Sequence, residues 1–360
     1  MKNVGIISYG VSLPKRRLPI DATLDIWKNT SRDLIIKQGV TERGVLGVDE
    51  DSNTYAVQAL NEAIEKNEDA AQVGALLYGT CTNPYDSRPS STIIAEAVDY
   101  SYDTFSTDIQ FSGKSGTTAM IMALGLVQSG LAGKAAAVAA DTINRHTSPG
   151  DLSEPYAGCG GAAFVLGSEN IIATVDGIAS WSKDLSDNFR VEGERYIRSG
   201  MLLGPAKNEV GLYEHTVNAG KLLMEKLGTR PEDYDYAVFQ QTTPRVAYGC
   251  AKKLGFQEGQ VKPSIYAGTV GDAGCASTLI GLAKVLDKAK AGEKIFVVSY
   301  GFGAGADAIA LTVTEDIKRL QGITDTVEEH LRNRDVLDYG TAMKCEFKYI
   351  RPSHPINAYL

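Results

Sequence analysis

The chain lacks the patterns that mark several large functional classes. Its 360 residues carry a formal charge of -8, and no cluster of Lys and Arg interleaved with aromatics occurs. A nucleic-acid footprint is therefore missing. No apolar run approaches the roughly 20 residues that a membrane-spanning helix needs. Met1 to Pro14 holds one short apolar run, Val4 to Tyr9, without the long apolar region of a signal peptide. The cytoplasm is the expected location. Cysteine is scarce: Cys81, Cys159, Cys250, Cys275 and Cys345 are odd in number, scattered and without a CxxC pair. That spacing argues against a disulfide framework or a zinc site and predicts buried thiols. His146, His215, His330 and His354 show no metal-ligand spacing either, so no metal site is expected.

What is present is a composition with 43% hydrophobic and 22% charged residues, enough for a large α/β body. Apolar β-branched runs of strand length alternate with longer helical patterns. The predicted strands are 4–9, 75–80, 107–111, 135–140, 162–167, 236–240, 294–300 and 306–314. The predicted helices are 54–65, 91–98, 116–129, 216–227, 244–254 and 273–289. A shift of 160 positions lays Ser115–Thr142 on Cys275–Phe302, so that Thr118 meets Thr278, Lys134 meets Lys294 and Val138 meets Val298. Both copies run from a small polar turn through a buried helix and a basic turn to a buried strand. An internal duplication is the economical reading. It divides the chain into halves at 1–168 and 169–315, with an extension at 316–360 that opens helical and ends in Phe347, Tyr349, Ile350 and Tyr359. Such a segment packs on the body or on a partner, with a partner or a second copy slightly favoured.

The glycines of GFGAGAD, Gly301 to Asp307, do not make a dinucleotide loop. That fingerprint opens a helix, whereas here an apolar strand pattern follows. Close passage of neighbouring backbones is the better account.

Several longer runs carry a family resemblance. Through YGVSLPKRRL, DEDSNTYAVQAL, IIAEA, MEKLG with DYDYAVF, and SYGFGAGADAIAL, the chain resembles the hydroxymethylglutaryl-CoA synthase and ketosynthase-III-like branch of the thiolase superfamily. Through GTCTNPYDSR, QFSGKSGT, ADTINRHTSPGDL, ERYIRSGM, AGTVGDAG and the tail KYI with AYL, it looks most like one group of subunits. These are the cysteine-less ketosynthase-III-like subunits of bacterial acetyltransferase complexes that interconvert monoacetyl- and diacetylphloroglucinol. The resemblance implies a five-layer αβαβα fold of two duplicated halves, usually a tight dimer.

It also implies where the chemistry of such enzymes sits. A cysteine at a helix N-terminus attacks a thioester and holds the acyl group, a histidine and an asparagine polarise the carbonyl, and a glutamate moves the proton. In this chain the nucleophile position is Gly113, the histidine position Gln240, the asparagine position Asp272 and the acid/base position Cys81. A hydrogen atom cannot carry an acyl group. Gln240 still offers a donor, while Asp272 is expected to place negative charge where an oxyanion needs donors.

Other residues suit plain structural roles as well as chemical ones. Cys81 is a buried thiol or a relocated nucleophile. Cys275, symmetric to Ser115 at the start of the second helix, is a buried thiol or a thiolate favoured by the helix dipole. Ser112 and Ser115 flank Gly113 without a general base and suit turn hydrogen bonding. His146 reads as a solvated loop residue near a site entrance or dimer contact. Arg88 and Arg198 suit surface ion pairing as well as anion binding.

The expected function is thus a catalytically silent, structural subunit of a multicomponent acyltransferase that C-acetylates phloroglucinol-type phenols. The resemblance implies a homodimer, a cysteine-bearing thiolase-like catalytic subunit and a small OB-fold or zinc-ribbon-like bridging subunit. No cofactor is implied. The alternative is an active hydroxymethylglutaryl-CoA synthase-like or ketosynthase-III-like condensing enzyme with a relocated nucleophile.

Overall fold

In the computed structural model, which describes residues 3–199 and 210–349, the apolar runs become one nine-stranded mixed sheet. In sheet order its strands are Tyr236–Phe239, Lys294–Val298, Ala306–Val313, Ala173–Trp181, Gly5–Ser12, Cys159–Gly167, Ala135–Thr142, Ala75–Thr80 and Phe105–Gln110. Pairing is sparse at one place only along this order. Gly5–Ser12 meets Ala173–Trp181 through Gly5 opposite Thr174 and Ile6 opposite Ala173. Outward from that seam both blocks repeat one plan: two successive antiparallel pairings, then a parallel one. The helix Ser115–Ser129 belongs to one block and Ser277–Leu286 to the other. The expected duplication is thereby visible as topology.

Side-chain alternation along the strands builds the layers. Ala135, Ala137 and Ala139 face a central core with Ala119, Met120 and Ala123 of one helix and Leu279, Ile280 and Ala283 of the other. Ala136, Val138 and Ala140 face an outer core with Tyr55, Ala59 and Leu60 of helix Ser52–Lys66. In the second block Ile295 and Val297 point to the centre, while Phe296 and Val298 point outward to Leu223, Leu254 and Phe256. Helices Leu212–Leu227 and Pro244–Leu254 cover that outer face. The result is the αβαβα order. Close packing of the central helices depends on Gly116, where a Cβ would lie 2.6 Å from the Cys275 carbonyl oxygen and 2.7 Å from Ala139 Cβ.

Two differences from expectation have local causes. Ala173–Trp181 carries no continuous apolar run, because Asp176 and Gly177 interrupt it, yet it is a central strand clamped between two others. The helix expected from 273 begins at Ser277, preceded by a tight 3-10 turn, Gly274–Ala276, with Gly274 at φ +59°. The extension packs on the body as far as it is described. Asp335–Val336 adds to Arg16–Pro19, and Glu346 lies buried with Arg43 Nη2 at 3.3 Å and Lys348 Nζ at 2.7 Å. Phe347 and Tyr349 are exposed. Ile350, His354 and Tyr359 lie outside the described residues, as does the end of the ERYIRSGM run. Among the described residues no helix is long and apolar enough to cross a membrane.

Candidate functional site

Gly113 sits in the turn between strand Phe105–Gln110 and helix Ser115–Ser129. Local hydrogen bonds shape this turn: Ser115 N–H donates to Ser112 O at 2.8 Å, and Ser112 N–H donates to Ser115 Oγ at 3.2 Å. Both serines are thus engaged, Ser112 Oγ also donating to Gly301 O at 3.2 Å. The loop 300–305 lies directly over Gly113. A Cβ there would come within 2.6 Å of Tyr300 O and 2.9 Å of Phe302 Cγ. The space that a nucleophilic side chain would need is filled. Lys114, the neighbouring cation, is committed to Asp307 at 2.9 Å, so it offers no charge to a thiolate. The overlying loop depends on its glycines for close passage: a Cβ on Gly303 would lie 1.9 Å from Leu185 O, and one on Gly305 2.0 Å from Trp181 O.

Cys81 follows strand Ala75–Thr80 and meets Cys275 from the other block, thiol to thiol. Both stand beside Asp141, the end of a buried strand. Asp141 Oδ1 accepts from Cys81 N–H at 2.7 Å, Thr82 N–H at 2.9 Å, Thr82 Oγ1 at 2.6 Å and Thr80 Oγ1 at 2.9 Å. Its Oδ2 accepts from Cys275 N–H at 2.7 Å. Burial pushes the Cys81 thiol up to about 12, and burial, then Cys81 and Asp141, raises Cys275 well above the usual thiol range. The thiolate-favouring environment expected for Cys275 is therefore corrected. Desolvation and a neighbouring carboxyl outweigh the end of a short 3-10 turn, and Cys275 Sγ donates instead to Gly79 O at 3.1 Å.

Gln240 is buried at the end of strand Tyr236–Phe239. Its Nε2 donates to Gly274 O at 2.7 Å, and its Oε1 accepts from Thr278 Oγ1 at 2.8 Å. The amide thus ties the turn Gly274–Ala276 to the start of helix Ser277–Leu286. Asp272 lies on the same connection, bridged to Ala157, and its Oδ1 accepts from Gly274 N–H at 2.9 Å. Burial, with a smaller contribution from Asp141, raises its carboxyl to about 7 against the lowering effect of that N–H. This burial weakens the negative charge expected at Asp272. At neutral pH the neutral acid is well populated.

The structure brings Gly113 and Cys81 to one apolar cluster of Ile143, Ala157, Tyr300 and Phe302, flanked by Ile197 and Leu212. Asp272 joins it through Ala157, while Gln240 is tied to the adjoining turn. Asp141, Tyr300 and Phe302 were not singled out in the sequence. Asp141 left a signal, an acidic residue closing the apolar run AAAVAA. Phe302, with φ +54°, left none. His215, buried with neither ring nitrogen hydrogen-bonded among the described residues, has its ring 5.8 Å from the Tyr300 ring. His146 is not the solvated residue expected: it contacts Arg195 O at 2.9 Å, and burial lowers it to about 4. Arg198 pairs with Glu194 at the surface, and Arg88 lies against the Tyr85 ring. Among the described residues no group of three or more His, Cys, Asp or Glu could hold a metal.

Comparison with known proteins adds a second kind of observation. Residues 224–314 match the family model described as 3-oxoacyl-[acyl-carrier-protein (ACP)] synthase III C terminal. The chain is 38% identical to a hydroxymethylglutaryl-CoA synthase of Methanocaldococcus jannaschii, covering 94% of this chain and 97% of that one. It is 36% identical to one of Pyrococcus furiosus, covering 97% and 98%. Among solved structures, MvaS in complex with 3-hydroxy-3-methylglutaryl coenzyme A superposes with a TM-score of 0.85 at 20% identity, over 97% of this chain and 93% of that one. The 3-oxoacyl-(acyl carrier protein) synthase III of Pseudomonas aeruginosa PAO1 superposes with a TM-score of 0.77 at 21% identity, over 87% and 98%. These structural likenesses concern the fold alone.

Proposed function

Because this chain belongs to the hydroxymethylglutaryl-CoA synthase family of thiolase-like condensing enzymes, yet has glycine at the nucleophile position, we propose that it is a catalytically silent subunit of a multicomponent acyltransferase. The observation that carries this reading is Gly113 itself, closed over by Tyr300 O and Phe302. Losing the nucleophile of a covalent mechanism costs on the order of a millionfold in rate, and the two nearby thiols are held protonated. In the proposed assembly a cysteine-bearing thiolase-like subunit carries the acyl group in the C-acetylation of phloroglucinol-type phenols. A small OB-fold or zinc-ribbon-like subunit bridges the two, this chain forms a homodimer, and the complex works in the cytoplasm.

A second reading has its own support. The curated relatives named hydroxymethylglutaryl-CoA synthase match nearly the whole chain at 35–39% identity, which speaks for an active condensing enzyme more than for a silent subunit. In that reading Cys81 or Cys275 is a relocated nucleophile. Intact-protein mass spectrometry separates the two. The purified chain, incubated with acetyl-CoA or with a diacetylated phenol, is expected to gain no acetyl group, acylation appearing only on an added cysteine-bearing partner. A stoichiometric acetyl increment mapped to Cys81 or Cys275 would establish the condensing enzyme instead.

A further inference from the structure

The five cysteines are spread unevenly over the interior. Cys159, Cys250 and Cys345 each lie alone in a separate apolar core, whereas Cys81 and Cys275 share the central one. One group holds both of their backbones: Asp141 accepts Cys81 N–H on Oδ1 and Cys275 N–H on Oδ2, each at 2.7 Å. The two nitrogens are therefore no further apart than two hydrogen bonds and one carboxyl group allow. Their thiols, in turn, hydrogen-bond to each other. A disulfide needs roughly 4.4–6.8 Å between Cα atoms and Cβ atoms turned toward one another. The shared carboxyl draws the backbones together, and the thiol contact sets the side chains face to face. Access is unequal, because Cys81 is partly exposed while Cys275 is buried. Burial disfavours the thiolate at both, so the reduced pair lacks the stabilised thiolate that makes a disulfide easy to reduce.

We propose that Cys81 and Cys275 form a redox-active pair, a modification site at which a low-molecular-weight disulfide, RSSR, closes a reversible disulfide between the two blocks. Cys81, the accessible thiol, gives its proton to solvent and attacks one sulfur of RSSR. The RS–SR bond breaks, one RS⁻ leaves and is protonated, and a mixed disulfide stands on Cys81. Cys275 then loses its proton and attacks Cys81 Sγ, releasing the second RS⁻, which is protonated in turn. Two thiols have become one disulfide, and two electrons have reduced RSSR to two RSH. The new bond joins the end of strand Ala75–Thr80 to the turn Gly274–Ala276, beside the tie that Asp141 already makes. In a reducing compartment the pair rests as thiols and closes under oxidation. The proposed function uses neither thiol, so this inference goes beyond it and does not depend on it.

The test is equilibration of the folded full chain, at mildly alkaline pH, in buffers of mercaptoethanol with a rising share of its disulfide. Samples are quenched in acid, their free thiols alkylated, and the intact mass and unreduced peptide map recorded. Wild type is expected to lose the two thiol hydrogens, to keep three of its five cysteines open to alkylation once unfolded, and to yield one cross-linked peptide joining Cys81 to Cys275. Dithiothreitol is expected to restore both thiols. Cys275→Ser keeps a donor for Gly79 O but cannot close the bond, so it is expected to stop at a mixed disulfide on Cys81. In Cys81→Ser the accessible thiol is gone, and Cys275 is expected to stay unmodified. Oxidised wild type is expected to unfold at a higher temperature than reduced wild type, a shift that both variants lose. Five free thiols in wild type held in the disulfide reagent alone, a wild type that stops at the mixed disulfide, or a cross-link to another cysteine overturns the proposal.

Discussion

A side chain at position 113 must share its place with a backbone carbonyl, and backbone yields less readily than the end of a flexible side chain. Restoring the family's residue by Gly113→Cys is therefore expected to destabilise the protein by about 1–3 kcal/mol, the usual range for overpacking, because its Cβ would lie 2.6 Å from Tyr300 O. Urea denaturation checks this, and intact mass after acetyl-CoA treatment is expected to show no acetyl group. A Gly113→Cys protein that is as stable as wild type and acylates would show the pocket to be merely unfurnished. At this scale the identities at 81, 113, 240 and 272 were legible through motifs. Their states were not. Whether Cys275 is a thiolate or Asp272 an anion depends on desolvation and on Asp141, which lies far away in sequence.

Hydrogen bonds join elements at the site. Asp141 closes strand Ala135–Thr142 and receives donors from the end of strand Ala75–Thr80 and from the turn Gly274–Ala276. One carboxyl thus ties the first block to the second. Asp141→Asn puts an NH2 group against donors that need acceptors, and the cost is expected to be at least about 3 kcal/mol, since several buried bonds to a charged acceptor are lost together. Chemical denaturation measures it, and a variant of unchanged stability would mean that Asp141 does not join the blocks. Periodicity located most strands and helices here, because their faces divide between a central and an outer core. It failed at Ala173–Trp181, where Asp176 and Gly177 hide a strand that only its two neighbours define.

For the molecule as a whole the edge of the sheet at Phe105–Gln110 matters most. Among the described residues Phe105–Gln110 pairs only with Ala75–Thr80, and its sequence FSTDIQ contains neither the Lys nor the Pro that commonly guards an edge. Asp108 does not guard it either, because its carboxylate accepts from Ser90 and Ser91 N–H at 2.9 and 2.8 Å. Phe105 and Phe111, at the two ends, are 56% and 71% exposed. The proposed homodimer is expected to form by antiparallel pairing of this strand with its copy. Size-exclusion chromatography with light scattering is expected to give a dimer for wild type and a monomer for the Phe105→Lys, Phe111→Lys double variant. A wild type that is monomeric at micromolar concentration refutes the pairing.

Alternating apolar runs, a repeat at a fixed shift and the residue at position 113 were properties of the sequence alone. They determined an α/β chain and a glycine at the position that the resemblance gives to a nucleophile, because hydrophobic periodicity and side-chain identity are local. The tertiary structure decided what the remaining groups can do. It placed Tyr300 and Phe302 over Gly113, kept two thiols protonated and buried Asp272 beside Asp141, because space, desolvation and neighbouring charge are set by residues that only folding brings together.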